Sequence, residues 1–428
     1  MLSDFVRSGI SSGIDITALK DDVHERLLTR LGSELYQSAI ESDRLQEMVY
    51  EAIEEVIATS DMSLSTFDRA RIVQDVVDEI LGVGPIQPLL RNPRVTEIMV
   101  NRFDRIYFEE EGRLHESELT FSSEEHLRRT IERIVSDVGR RIDEASPLVD
   151  ARLPDGSRVN AVVPPVSIDG ATLTIRKFSP EPFTARDLVL LNTLTDDAVS
   201  FLDACIKAKL NILISGGTGS GKTTTLNVLS SFIPEDERII TVEDAAELQL
   251  HQPHVVRLES RPINIEGEGL ITVRDLVRNS LRMRPDRIVV GEVRDGAALD
   301  MLQAMNTGHD GSLTTLHANS PKDALIRLEN LVLMAGIELP IRVIREQVVE
   351  ALDLIVHQAR LRDGTRKVTA ISEITGIDQD NIQLQEVFRF ELNDPTSGVE
   401  IGELVPSGLP LHRRGKFEIR NIAIPRGF

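Results

Sequence analysis

The sequence predicts an α/β protein in three parts. From about residue 184 to about residue 376, short apolar runs alternate with helical patterns, which predicts βαβ units and a parallel-type sheet. Between residues 85 and 183, runs with a period of two surround one helical pattern, which predicts an α+β domain. Residues 1–84 carry helical patterns that predict a small helical bundle. The third part, residues 184–428, would then include a C-terminal extension.

The N-terminal part is strongly acidic. Residues 1–90 contain 17 acidic and 7 basic residues, so they contribute −10 to the chain's formal net charge of −21. Apolar residues recur at helical spacing over 21–59 and again from residue 65, which predicts three amphipathic helices. Such a region is either a folded accessory domain or a docking module for a partner, and the residues favour neither alternative.

In the middle part, the period-two pattern predicts five strands and the helical pattern predicts one helix, over residues 123–139. The predicted strands span residues 95–101, 105–109, 148–153, 158–163 and 172–177. A tight turn joins the third and fourth strands and holds Arg152 and Arg158 close together, with Arg176 on the fifth strand. This arrangement suits an anion, although a solvated surface would also explain it.

Residues 216–223 read Gly-Gly-Thr-Gly-Ser-Gly-Lys-Thr and fit the P-loop pattern G-x-x-x-x-G-K-[ST]. A branched apolar run precedes them and a helical pattern follows, which is the strand, loop and helix order that phosphate binding needs. We predict that Lys222 reaches the β- and γ-phosphates of ATP and that the Thr223 hydroxyl binds Mg²⁺. The predicted nucleotide-binding residues are Gly216, Gly217, Thr218, Gly219, Ser220, Gly221, Lys222, Thr223 and Thr224.

Two apolar runs after the P-loop end in acidic residues, Glu243 and Glu292. The carboxyl ends of parallel strands are where a sheet of this kind places its active site. ATP hydrolysis needs one carboxylate near Mg²⁺ and another to orient or deprotonate the attacking water, so we expect these two acids to share the roles. Arg294 follows as a further cation, and we expect its neighbour Asp295 to pair with it.

Two histidines, His309 and His317, flank a third apolar strand pattern. A histidine in this position could sense the γ-phosphate or hold a carboxylate in place. A lone histidine in such a pattern is more often structural. The pattern alone therefore leaves a structural and a functional role open for both.

The composition excludes several classes of protein. Cys205 is the single cysteine of the 428 residues, so the chain can form neither an internal disulfide nor a Cys₄ zinc site. Its apolar helical surroundings predict a buried thiol. The acidic balance disfavours sequence-independent nucleic-acid binding. No apolar run reaches 18 residues, so we expect a cytoplasmic protein that attaches to a membrane only through a partner or an amphipathic face.

The order of these motifs resembles the secretion-system ATPase superfamily. After the P-loop come Thr-Val-Glu-Asp at 241–244, Val-Val-Gly-Glu at 289–292 and the histidine-flanked strand. They match the Walker A motif, the Asp box, the Walker B motif ending in Gly-Glu, and the His box of that superfamily. Residues 81–90 and 95–101 resemble its CpaF-type branch, which serves tight-adherence (Tad/Flp) pili.

The resemblance implies a RecA-like P-loop domain that binds ATP and Mg²⁺, in a homo-hexamer whose N-terminal and RecA-like domains clamp the nucleotide. It implies that Glu243 is the catalytic carboxylate and that Glu292 belongs to the metal shell. It gives a catalytic part to the remaining candidates, which are His309, His317, Arg152, Arg158 and Arg176.

We therefore predict a cytoplasmic hexameric ATPase, peripheral at the inner membrane, that powers assembly of a tight-adherence pilus, with retraction left open. Its expected partners are inner-membrane platform proteins, without direct nucleic-acid contact. A type IV secretion ATPase that moves DNA or effector proteins shares all four motifs and stays an alternative. A non-hydrolysing nucleotide-gated scaffold is the alternative of a different class, although Lys222, Glu243 and Glu292 argue against it.

Overall fold

A computed structural model of the chain describes residues 82–110, 112–178, 182–263, 268–392 and 402–425, with scattered helical residues between positions 47 and 78. The predicted N-terminal bundle otherwise lies outside the described residues. Clustering of contacts divides the chain into two compact units, Met1–Ser179 and Pro180–Phe428. Within the described part, no helix has both the length and the apolar character that a membrane span requires.

Unit 1 contains a six-stranded antiparallel sheet in the order β3-β2-β1-β6-β5-β4. Its strands are β1 (Val95–Arg102), β2 (Arg105–Glu110), β3 (Arg113–Glu116), β4 (Leu148–Arg152), β5 (Arg158–Val162) and β6 (Thr172–Arg176). The helices are α1 (Gln87–Arg91) and α2 (Glu124–Asp137). The five predicted strands and the predicted helix are all present, each within two residues of the predicted bounds.

Helix α2 covers the core of this sheet. Ser123 begins it as an N-cap, since its hydroxyl accepts a hydrogen bond from the backbone N–H of His126 at 3.1 Å. Leu127 and Ile131 recur at helical spacing and are fully buried with the inward residues of the strands. The apolar residues that recur at helical spacing in α2 and those that alternate along the strands therefore pack together in one core.

Unit 2 contains a nine-stranded sheet in the order β15-β14-β13-β12-β7-β11-β10-β8-β9. Six neighbouring strands of this order, β12-β7-β11-β10-β8-β9, are parallel, which confirms the predicted α/β fold with a parallel-type sheet. The parallel strands are β7 (Ile212–Gly216), β8 (Ile239–Glu243), β9 (Val255–Glu259), β10 (Arg287–Val290), β11 (Leu313–His317) and β12 (Leu354–Arg360). The antiparallel ones are β13 (Arg366–Asp378), β14 (Asn381–Leu392) and β15 (Gly402–Pro406).

Helices cover both faces of this sheet. They are α3 (Ala185–Leu190), α4 (Asp196–Lys207), α5 (Lys222–Ser230), α6 (Val273–Ser280), α7 (Ala297–Asn306), α8 (Pro321–Leu333), α9 (Ile341–Ala351) and α10 (Arg414–Ile419). The two faces form two apolar clusters, and neighbouring residues of β7 point to opposite ones: Ile212 and Ile214 to the first, Leu213 to the second. Cys205 of α4 is fully buried, as predicted, and burial raises the pKa of its thiol.

Residues 388–428, whose pattern indicates only a few strand-like runs, form the C-terminal extension, and their described part adds the end of β14 and all of β15 to the sheet. Strand β14 pairs antiparallel with β13 and with β15. Phe388 of β14 packs against Phe201 of α4 with ring centroids 5.5 Å apart. The extension therefore belongs to the core of unit 2.

Candidate active site

The P-loop joins β7 to α5 in a conformation that requires glycine. Gly219 and Gly221 have φ angles of +69° and +94°, a region that residues with a Cβ rarely occupy. A Cβ at Gly216 would overlap the carbonyl oxygen of Gln358 on β12. The loop is thus packed against the neighbouring strand, and its backbone N–H groups open at the carboxyl edge of the parallel strands, the edge where such sheets bind phosphates.

Lys222, the first residue of α5, is 7% exposed. Its ammonium donates to the carbonyl of Gly217 at 2.8 Å and lies 3.4 Å from Nδ1 of His317. Burial lowers the pKa of Lys222 and the nearby Glu292 carboxylate opposes that shift. The ammonium is partly desolvated and, among the described residues, its hydrogen-bond partners are neutral, which favours an anion as its further ligand.

His317 ends β11, opposite Gly216 in the register with β7. Its Nε2 lies 2.9 Å from Oε1 of Glu292. Since an ammonium can only donate, the Nδ1 that faces Lys222 accepts, and Nε2 carries the proton donated to Glu292. Burial, more than any other effect, lowers the pKa of His317 from its usual 6.5, which favours this neutral imidazole.

Glu292 follows β10 and is held on both oxygens. Its Oε2 lies 2.7 Å from the guanidinium of Arg294, which also contacts Asp244 at 3.2 Å. The expected pairing of Arg294 with Asp295 is wrong, because Asp295 instead accepts from the backbone N–H of Ala297 at the start of α7. Lys222, His317, Glu292 and Arg294 thus form one connected polar chain at the edge of the sheet.

Glu243 ends β8 and is 2% exposed. Its Oε2 accepts from the backbone N–H groups of Glu247 and Leu248 at 2.7 and 2.9 Å, whereas its buried Oε1 has no hydrogen-bond partner among the described residues. Burial raises the pKa of Glu243, although the two backbone hydrogen bonds oppose the shift. A fixed carboxylate with one free buried oxygen and a raised pKa has the properties of a general base.

The structure does not bring His309 to this edge. His309 follows α7, and its ring lies against the carbonyl of Ala304 at 3.2 Å. It precedes β11, whereas His317 ends that strand, and five residues of strand extend over about 16 Å. The two histidines therefore do not meet at one edge of the sheet within a single chain, because the strand between them separates them, and the catalytic role of His309 stays a prediction.

The three arginines of unit 1 occupy matching positions on adjacent strands. Arg152 lies opposite Arg158 in the β4–β5 register, and Arg158 lies opposite Arg176 in the β5–β6 register. Glu97 of β1 lies on the other side of Arg176. Because residues directly opposite each other point to the same face, three guanidiniums stand in one row, an arrangement of like charges that favours an anionic ligand.

Comparison with known proteins relates these motifs to a family. The family model described as "Type II/IV secretion system protein" matches residues 79–388. The chain belongs to the type II/IV secretion system protein family. A Mycobacterium tuberculosis protein whose name refers to conjugal transfer is 38% identical over 300 residues, 69% of this chain and 85% of its own length.

Two further relatives have names that refer to conjugal transfer and to type IV secretion. The conjugal transfer protein TrbB of Rhizobium radiobacter is 34% identical over 75% of this chain and 95% of its own length. The type IV secretion system protein VirB11 of Bartonella quintana is 34% identical over 67% and 90%. A crystal structure of the VirB11 ATPase from Brucella suis with sulphate is 30% identical, covers 68% of this chain and 95% of that chain, and has a TM-score of 0.38.

Family membership implies nucleotide binding, and the donors at the site suit Mg²⁺ bound together with a nucleotide. Among the described residues, no group of three or more His, Cys, Asp or Glu side chains could hold a metal alone. Mg²⁺ usually takes one or two protein oxygens, with waters and substrate phosphates completing its shell. Thr223 and Glu292 provide such donors, so the residues present fit the ion.

Two residues that support the P-loop in this family member come from distant parts of the chain. Gln358 accepts from the hydroxyl of Thr225 at 2.6 Å, and Arg366 donates to the carbonyl of Gly219 at 3.0 Å. Both lie on the β12–β13 hairpin, more than 130 residues after the P-loop. No sequence motif marks them, because the strand pairing that brings them to the loop is long-range.

Proposed function

We propose that this chain hydrolyses ATP and that hydrolysis powers a type IV secretion or conjugation apparatus. The observation that carries the enzymatic part is the connected chain of Lys222, His317 and Glu292 at the edge that also holds the P-loop and the buried Glu243. The names of TrbB and VirB11 support the transport part.

In the proposed reaction, the P-loop amides and Lys222 hold the phosphates, and Thr223 and Glu292 hold Mg²⁺ directly or through water. When bound, the ion neutralises charge on the β- and γ-phosphates. The free oxygen of Glu243 accepts a proton from the attacking water, which its raised pKa favours. His317 fixes the positions of the Glu292 and Lys222 side chains, because it donates a hydrogen bond to Glu292 and accepts one from Lys222.

The assembly around this site is also a proposal. We expect a homo-hexamer, peripheral at the cytoplasmic face of the inner membrane through platform proteins. In it, the guanidinium row of unit 1 would stabilise the charge that develops on the transferred phosphoryl group. The three-part division into residues 1–84, 85–183 and 184–428 belongs to this proposal.

The tight-adherence pilus stays a prediction that rests on the resemblance of residues 81–101. One experiment separates it from the type IV reading. The gene is deleted in the source organism, and plasmid transfer, effector secretion and surface filaments are measured together. We expect transfer or secretion to fall while filaments persist. Loss of filaments with normal transfer would instead support the pilus reading.

The enzymatic proposal is tested on the purified full chain. ATP turnover is measured for the wild type, Lys222→Ala and the surface control Lys207→Ala, whose lysine forms an exposed helical pair with Asp203. We expect Lys222→Ala to abolish turnover and the control to keep it. A wild-type protein that binds ATP without hydrolysing it, in any oligomeric state, would favour the nucleotide-gated scaffold.

A further inference from the structure

A cavity of about 440 Å³ opens beside the P-loop within unit 2. Its lining includes Gly217, Thr218 and His317, and also Arg327 and Asn330 of α8. The motif-based candidates include the first three of these residues but none from α8. The helix therefore brings a cation to the nucleotide edge that the motifs do not indicate.

The cavity lies at the terminal-phosphate end of the P-loop. Its wall at Gly217 accepts the hydrogen bond from the Lys222 ammonium, the group that is expected to reach the β- and γ-phosphates. His317, which also lines the cavity, contacts both Lys222 and Glu292. The other end of the loop, at Gly219, is held instead by Arg366.

The chain fixes α8 in this position from both sides. Ser320, three residues after His317, is the N-cap of α8, and its hydroxyl accepts from the backbone N–H of Asp323 at 3.0 Å. On the inner face, Leu325 and Leu328 are buried in the core of the sheet. Arg327 is consequently held on the exposed face that borders the cavity.

Arg327 makes no hydrogen bond or ion pair with any residue of the described part of the chain, although Asp323 lies one turn before it. Its charge nevertheless reaches the site, because it contributes to lowering the pKa of His317, as Lys222 and Arg294 do. An exposed guanidinium without a protein partner, at the edge of a phosphate site, can turn toward an anion without first breaking another contact.

We propose that Arg327 binds the γ-phosphoryl oxygens of ATP held by its own P-loop and so distinguishes ATP from ADP. The inference rests on the proposed function and deepens it, since it assigns nucleotide-state recognition to a residue of α8. ADP lacks the γ-phosphoryl group, so Arg327 would contact ATP and leave ADP without this bond.

The test compares Arg327→Ala, Arg327→Lys and Lys322→Ala, a control on the exposed face of the same helix. Dissociation constants for ADP and for the slowly hydrolysed analogue ATPγS are measured on the full chain with Mg²⁺. A hydrogen bond between charged groups corresponds to a change of about 10- to 100-fold in affinity. Arg327→Ala should therefore raise the dissociation constant for ATPγS by that factor and the dissociation constant for ADP by less than about twofold. Arg327→Lys should fall between Arg327→Ala and the wild type, and Lys322→Ala should match the wild type.

Equal losses for both nucleotides, or unchanged ATPγS affinity in Arg327→Ala, would overturn the assignment. If Arg327→Ala fails to fold, as judged by circular dichroism, Arg327→Lys still tests the assignment. It keeps the charge and loses the bidentate geometry, so its affinity for ATPγS should fall while its affinity for ADP does not. The ratio of the two affinities is independent of turnover. A wild-type protein that shows the ratio without hydrolysis would refute the proposed ATPase and leave the role of Arg327 intact.

Discussion

Nε2 of His317 lies 2.9 Å from Oε1 of Glu292, and this contact links the P-loop lysine to the acid that follows β10. The histidine is useful here because its two ring nitrogens differ: one accepts from Lys222 while the other donates to Glu292. A protonated ring would have two donors and would repel the ammonium. The link therefore depends on a neutral imidazole.

The first prediction concerns pH. Burial lowers the pKa of His317 below 6.5, so the neutral ring is kept above that pH and is lost only as the pH falls below it. We expect kcat/KM for ATP to be flat from about pH 7 to about pH 8 and to fall on the acid side of about pH 6.5. Burial also raises the pKa of Glu243 from 4.5, so a second acid step follows when that base is protonated.

His317→Gln separates the two steps. A glutamine cannot gain a proton in this range, so the variant should lose the step assigned to His317 and keep the step assigned to Glu243. Kinetics across the pH range would show this directly. A variant with the full wild-type profile would mean that His317 does not titrate in the reaction.

The second prediction separates binding from hydrolysis. Glu243→Gln keeps an oxygen that can accept from Glu247 and Leu248, so the fold around it should persist, but an amide cannot take the proton from water. We expect turnover to fall at least about 10²-fold with ATP affinity largely unchanged. Glu292→Gln should have the same effect, whereas Lys222→Ala should weaken ATP binding itself. Near-wild-type turnover in Glu243→Gln would refute its assignment as the base.

The site shows which features the sequence could predict. The P-loop and the two acidic strand ends follow from local pattern, because parallel strands necessarily end at one edge. The resemblance implies a catalytic role for both His309 and His317, but only the strand β11 between them shows that they lie at opposite ends of the sheet. Gln358 and Arg327 could not be predicted in this way. They lie beside the P-loop because β12 and α8 pack next to it, and no local sequence pattern shows that packing.

The topology of strands β13 to β15 could not be predicted from the sequence for a different reason. Strands β13 and β14 have 13 and 12 residues, and their burial does not alternate cleanly along their length. Antiparallel strands at the edge of a parallel sheet also lack the helical crossovers that mark βαβ units in a sequence. The pattern therefore gives strand-like runs but no topology.

The third prediction concerns the guanidinium row of unit 1. If Arg152, Arg158 and Arg176 stabilise charge on the transferred phosphoryl group, replacing any one by alanine should reduce turnover far more than ADP affinity. The control is Arg113→Ala, because β3 lies at the opposite edge of the same sheet from β4. Steady-state turnover and ADP binding on the four variants provide the comparison. Equal losses in both quantities, or wild-type turnover in all three row variants, would identify the row as ordinary surface charge.

The fourth prediction concerns the attachment of the C-terminal extension beneath the P-loop strand. Asp353 precedes β12, is fully buried, and accepts from the backbone N–H of Asn211 at 2.8 Å and from Lys416 of α10 at 2.7 Å. The Asn211 side chain in turn accepts from the N–H groups of Gly311 and Ser312. One carboxylate thus ties α10 to the starts of three neighbouring parallel strands, at the edge opposite the nucleotide.

Removing the lysine leaves a buried charge with less compensation, since among the described residues the guanidinium of Arg413, 3.3 Å from Asp353, is then the one cation paired with it, beside the Asn211 N–H. We expect Lys416→Ala to lower the free energy of unfolding by about 3 kcal/mol. Lys207→Ala, which breaks an exposed pair, should change it by no more than about 0.5 kcal/mol. Because the chain has no tryptophan, urea unfolding is followed by circular dichroism. If Lys416→Ala and Lys207→Ala unfold at the same urea concentration, α10 rests on the sheet without stabilising it, and Arg413 and the Asn211 N–H suffice for the buried carboxylate.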